Sequence, residues 1–96
     1  MCCKVGPVIA DLRSRKASVR CGEMRTILEG FGFVIKEGKT PGHKVFFHQG
    51  LKEFTSASYN CGHGKDSIIK APYVVKVIRV LSDFQDLLEK LERNND

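Results

Sequence analysis

Two short runs of β-branched and aromatic residues, Phe33-Val34-Ile35-Lys36 and Lys44-Val45-Phe46-Phe47-His48, flank the link Gly38-Lys39-Thr40-Pro41-Gly42. This link constrains the fold more than any other segment. So short a link, with a glycine at each end and a proline inside, turns the chain back on itself, and the two runs are expected to pair as an antiparallel hairpin. A third run, Glu53 to Tyr59, follows the turn Gln49-Gly50-Leu51 and extends the hairpin into a meander. Asn60 to Lys65 read as a loop, because Gly62 and Gly64 supply no packing and invite positive φ.

Helical spacing appears on both sides of these strands. In residues 7–16, Val8, Ile9 and Leu12 share a face and Pro7 suits a first turn, which predicts a short helix with a basic end. Met24, Ile27, Leu28 and Phe31 form an i, i+3, i+4, i+7 stripe that Gly30 and Gly32 close. Pro72 to Leu81 is rich in valine, yet Val74, Ile78 and Leu81 keep helical spacing behind a first-turn proline, which favours a helix. Ser82-Asp83-Phe84-Gln85 has capping-box form and leads into a last helix with the stripe Phe84, Leu87, Leu88 and Leu91.

A chain of 96 residues fits a single domain, 1–96. Its longest apolar runs are far too short to span a bilayer, and Met1-Cys2-Cys3-Lys4 lacks a signal-peptide core, so a cytoplasmic protein with no membrane partner is expected. The net charge of +5 is unevenly spread: residues 1–80 hold 14 Lys and Arg against 6 Asp and Glu, whereas residues 81–96 hold 2 against 5. A basic body with an acidic tail favours a polyanionic partner. Cys2, Cys3, Cys21 and Cys61 form no CxxC pair, so four reduced thiols are expected, and Cys61-Gly62-His63 offers too few ligands for a metal site. No cofactor is expected.

His43 is the first candidate for chemistry, because imidazole exchanges protons near neutral pH and this one stands between Lys39 and Lys44. Metal-free RNA cleavage needs a base to take the 2′-hydroxyl proton and cations to stabilise the charge that develops at phosphorus. A single histidine at a strand start reads first as a structural residue, and only the motif around it makes His43 the base of such a scheme. Lys39, Lys44 and Lys65 supply charge, the backbone around Gly42 approaches a phosphate closely, and Lys70 extends a basic track toward the last helices. Strand alternation sets His43, Val45 and Phe47 on one face and Lys44, Phe46 and His48 on the other, so His43 and His48 cannot act as a pair. His48 reads instead as a hydrogen-bonded strand-end residue. Tyr59 and Tyr73 read as core aromatics before they read as RNA contacts, and a solvated helix face accounts for Lys76 and Arg79.

Leu28-Glu29-Gly30-Phe31-Gly32-Phe33 leading into Pro41-Gly42-His43-Lys44-Val45-Phe46-Phe47-His48 resembles the HicA toxin family, and Lys70-Ala71-Pro72-Tyr73 is similar to the lysine-proline-tyrosine helix entry of its longer members. The similarity covers residues 19–81, with 1–18 as an N-terminal extension and 82–96 as an acidic C-terminal helix. It implies an α+β fold like the double-stranded RNA-binding domain: an α-β-β-β-α core whose three-stranded antiparallel sheet carries helices on one face, here with an added N-terminal helix and C-terminal helical extension. It further implies a toxin of a type II toxin-antitoxin system, an mRNA-cutting endoribonuclease that needs no metal, with catalytic His43 and a HicB-like antitoxin as partner. Lys44 stands where many members carry a second histidine, and Pro41 replaces a usual glycine. Two other readings stay open: a non-catalytic module gripping duplex RNA, and a degenerate toxin-like domain that binds a protein partner through its last helix.

Overall fold

The computed structural model describes residues 5–62 and 66–94. Seven elements follow one another: α1 (Val5–Ser14), α2 (Cys21–Gly30), β1 (Val34–Glu37), β2 (His43–Phe47), β3 (Ala57–Asn60), α3 (Ala71–Asp83) and α4 (Gln85–Asn94). The chain is therefore an α+β protein with the α-β-β-β-α order expected for its centre and a helix added at each end. The sheet order is β1-β2-β3 and both pairings are antiparallel.

Why each element forms can be read from what it buries. Val5, Ile9 and Leu12 are the buried stripe of α1, with Pro7 in the first turn, where a missing N–H costs nothing. Cys21, Met24 and Leu28 are the stripe of α2. That helix ends in a Schellman motif: Gly32 N–H donates to Glu29 O (3.0 Å) and Phe33 N–H to Leu28 O (3.0 Å), with Gly32 at φ 92°. The buried side chains of Leu28 and Phe33 bracket this turn, which aims the chain into β1. Val74, Val77, Ile78 and Leu81 line α3, so its helical period outweighs the β propensity of its valines once that face has a core to cover.

On the sheet, Ile35 pairs with Phe46 and Lys44 with Tyr59, and Ile35, Phe46 and Tyr59 are all buried against the helices. Phe46 meets the rings of Phe33, Phe54 and Tyr59 at centroid distances of 5.5, 5.9 and 5.9 Å. A side chain of this kind contributes about 1.5–3 kcal/mol on burial. Buried residues from all three strands and four helices join one cluster: α2 lies against β1, α3 against β3, and α1 against α3 and α4. Arg15, just after α1, holds Asp11 (3.0 Å) and grips Glu23 of α2 with both terminal guanidinium nitrogens, which keeps the Glu23 carboxyl below the usual carboxylate range.

Three local expectations change. The third strand begins at Ala57, not Glu53, because Leu51 N–H bonds back to His48 O and Phe54 N–H to Leu51 O. These two turns spend the segment on sinking Leu51 and Phe54 into the core. Ser82 lies inside α3 and does not cap α4; the two helices meet at Phe84, whose N–H still reaches Val80 O. The cysteines are not all reduced: Cys21 and Cys61 form a disulfide with Cα atoms 5.3 Å apart. Their approach comes from long-range pairing. Segment 66–69 runs beside the start of α2, with Cys21 N–H on Ser67 O (2.9 Å), Ile69 N–H on Val19 O (2.8 Å) and an Arg20–Ile68 bridge.

The bridge spans 40 residues of sequence, for which loop-closure entropy gives about 4 kcal/mol of stabilisation, of which about 2–4 is usually realised. Urea unfolding with and without reductant should show a loss in that range, and Cys21→Ser/Cys61→Ser should reproduce it and lose the response to reductant. A second outcome concerns Tyr59, whose buried hydroxyl has no hydrogen-bond partner among the described residues. Burial pushes its phenol up to about 12 from 10.0. The unfolded chain therefore ionises first, and the stability tied to the protonated phenol is full below pH 10 and lost as pH rises toward 12. Unfolding free energies measured against pH should fall less steeply above pH 10 for Tyr59→Phe, with neutral-pH stability equal or higher.

Candidate functional site

The hairpin link is closed by two backbone bonds, Gly38 N–H to His43 O (2.6 Å) and His43 N–H to Thr40 O (3.1 Å). His43 is thus fixed as the first residue of β2, half-buried, with Asn60 as its partner across β3. The imidazole lies directly over Gly38: a Cβ added there would fall 2.8 Å from the ring Cγ. A second contact closes the other side. Gly42, at φ 83°, rests on the backbone of Gly62, where an added Cβ would meet Gly62 O at 2.7 Å, and Gly42 O accepts from Cys61 N–H at 2.7 Å. The disulfide therefore anchors the β3 end of the site to α2.

His43 at the start of β2 and His48 just after its end have opposite surroundings. His48 uses both ring nitrogens: Nε2–H donates to Phe31 O (2.8 Å) and Nδ1 accepts from Gly50 N–H (2.9 Å), which selects the neutral tautomer protonated at Nε2. Its edge also packs on Phe33, at 4.9 Å between centroids. It pins the C-terminus of α2 to the turn after β2, as a strand-end structural residue would. Among the described residues no hydrogen bond engages the His43 ring, whose Nδ1 is the atom turned toward Gly38.

Alternation along the strands sorts the other candidates. His43, Val45 and Phe47 share the sheet face turned away from the buried Phe46, with Val34 and Lys36 of β1 and Ser58 and Asn60 of β3. Lys44 is on the helix-packed face, where its ammonium bonds Glu37 Oε1 at 2.7 Å and holds that carboxyl below its usual range. The adjacent lysine thus does not share the imidazole's face. Lys39 is exposed in the hairpin link with His43 and Gly42. Lys70 forms the N-cap of α3, separated from the Gly42–Gly62 contact by the segment paired with α2. Lys65 falls outside the described residues, as does His63, and Cys61 is committed to the disulfide. Among the described residues no group of three His, Cys, Asp or Glu side chains could hold a metal.

Asn60 and Gly38 are the site residues that sequence reasoning missed. A strand over Glu53 to Tyr59 ends one residue short of Asn60, which the structure places as the last residue of β3, opposite His43. The arrangement offers a proton acceptor, an amide that can donate to a phosphate oxygen, and a nearby lysine on the hairpin. No family model, no curated protein and no solved structure matches this chain. No helix of the described residues is long and apolar enough to cross a membrane.

Gly38→Ala is expected to displace the His43 ring, since the new methyl would take its space. The His43 ring signals in an NMR spectrum should shift while those of His48 stay in place; unmoved His43 signals would mean that the ring does not rest on Gly38.

Proposed function

We propose that this chain is a HicA-like, metal-independent endoribonuclease that uses His43 as general base. The observation that carries the reading is the His43 ring on the outward sheet face, which no hydrogen bond engages among the described residues, whereas His48, just past the end of the same strand, has both ring nitrogens bonded. In the proposed reaction His43 takes the proton of a ribose 2′-hydroxyl, and the 2′-oxygen attacks the adjacent phosphorus. The bond to the 5′-oxygen breaks and that oxygen takes up a proton from water, leaving a 2′,3′-cyclic phosphate and a 5′-hydroxyl end. Asn60 and Lys39 bind the phosphate oxygens, and the glycine backbone at Gly42 lets the RNA approach.

The resemblance in residues 19–81 further supports a toxin restrained by a HicB-like antitoxin and acting on mRNA in the cytoplasm. There the Cys21–Cys61 bridge must survive a reducing pool, which its burial favours, since the cysteines are only 6% and 2% exposed. A second reading, an RNA-binding module without cleavage, draws on Lys44, which lies on the opposite sheet face tied to Glu37 and so adds no charge beside the His43 ring.

Incubation with RNA in EDTA decides between them. Wild-type protein should release cyclic-phosphate ends, His43→Ala should lose about 10²-fold or more of the rate while still retaining RNA, and Lys44→Gln should cut nearly as well as wild type. Retention of RNA without cleavage by the wild type would sink the enzyme and leave the module.

A further inference from the structure

The outward face of the sheet continues from His43 along β2 to Phe47, and its composition differs from an ordinary solvated face. Val45 and Phe47 extend the row, Val34 is 37% exposed beside Phe47, and the Lys36 ammonium sits 5.5 Å from the centre of the Phe47 ring. No carboxylate belongs to this face among the described residues, because alternation sends Glu37 to the other side with Lys44. An aromatic ring with a cation over it and, among the described residues, no carboxylate and an imidazole that no hydrogen bond engages form a surface complementary to an anion that also carries flat apolar groups.

We infer that this face is a platform for single-stranded RNA, on which a base stacks at Phe47, a neighbouring phosphate meets Lys36, and the same strand runs to His43. This deepens the RNase reading and rests on it for the choice of RNA. Phe47 lies four residues from His43, about 13 Å along the strand, so a few nucleotides reach both. A duplex hides its base faces and is gripped by cations spaced to its phosphates. Here a single lysine and one phenyl ring, Phe47, set in an apolar row favour unstacked bases, whose π-faces an aromatic side chain accepts without regard to sequence.

A short fluorescent 2′-O-methyl RNA tests the idea, because it lacks the nucleophilic hydroxyl and stays intact whether or not His43 is a catalyst. Wild-type protein should bind the single strand more tightly than the same sequence as a duplex. Phe47→Leu, which keeps an apolar side chain, should weaken single-strand binding about tenfold, as loss of one stacked base does. Lys36→Gln, an exposed change that the fold tolerates, should lower the slope of log affinity against log salt by about 0.7. Equal or tighter duplex binding, no binding of the single strand, or unchanged affinity in Phe47→Leu with an unchanged salt slope in Lys36→Gln would each overturn the platform. If these binding results hold while native RNA stays uncut, the catalytic reading alone fails.

Discussion

The two-sided pairing of β2 is the constraint on which the rest depends. Because it is hydrogen-bonded to β1 and to β3, its alternate side chains have only two destinations. Phe46 goes inward to the aromatic cluster that seats α2, α3 and the Phe54 turn, and His43, Val45 and Phe47 go outward. A slip of one residue would exchange these sets, exposing Phe46 and burying an imidazole. The Ile35–Phe46 and Lys44–Tyr59 pairs prevent the slip, since each matches a buried or neutralised residue to a buried one. Core and candidate site are therefore consequences of a single register.

A second tier of contacts keeps the ends of the sheet from opening. The Schellman turn and His48 fix the entrance to β1, while the disulfide, the Val19–Ile69 pairing and the Gly42–Gly62 contact fix the exit from β3. The outer helices add to the same cluster: α1 brings Val5, Ile9 and Leu12, and α4 brings Leu88. A three-stranded sheet with two helices offers a thin core, and the added helices widen it.

Helix periodicity was the most legible signal in the sequence, because α2 and α3 each bury one stripe and local spacing reports that directly. The hairpin was legible for a similar reason, with Gly38 and Gly42 bounding its turn. What could not be read depends on residues far apart in the chain. Nothing local to Cys21 or Cys61 announces a bridge; it follows from segment 66–69 lying beside α2. The late start of β3 was hidden because Leu51 and Phe54 look alike whether they serve a strand or turn into a core. His43 was legible as a candidate, but its footing on Gly38 and its partner Asn60 needed the register.

That register also changes what Lys44 means. From sequence, Lys44 stands out because many members of the family that residues 19–81 resemble carry a second histidine there. Yet residues 43 and 44 are neighbours on a strand, and neighbours point to opposite faces. Whatever follows His43 in this geometry projects to the helix-packed side, opposite Tyr59 and beside Glu37. A lysine there is 16% exposed and paired, so it contributes to closing the hairpin end more than to any chemistry on the outward face. The substitution thus removes little from the surroundings of His43. The side chains that share the imidazole's face are Asn60 across the ladder, Val45 and Phe47 along the strand, and Lys36 and Val34 on β1.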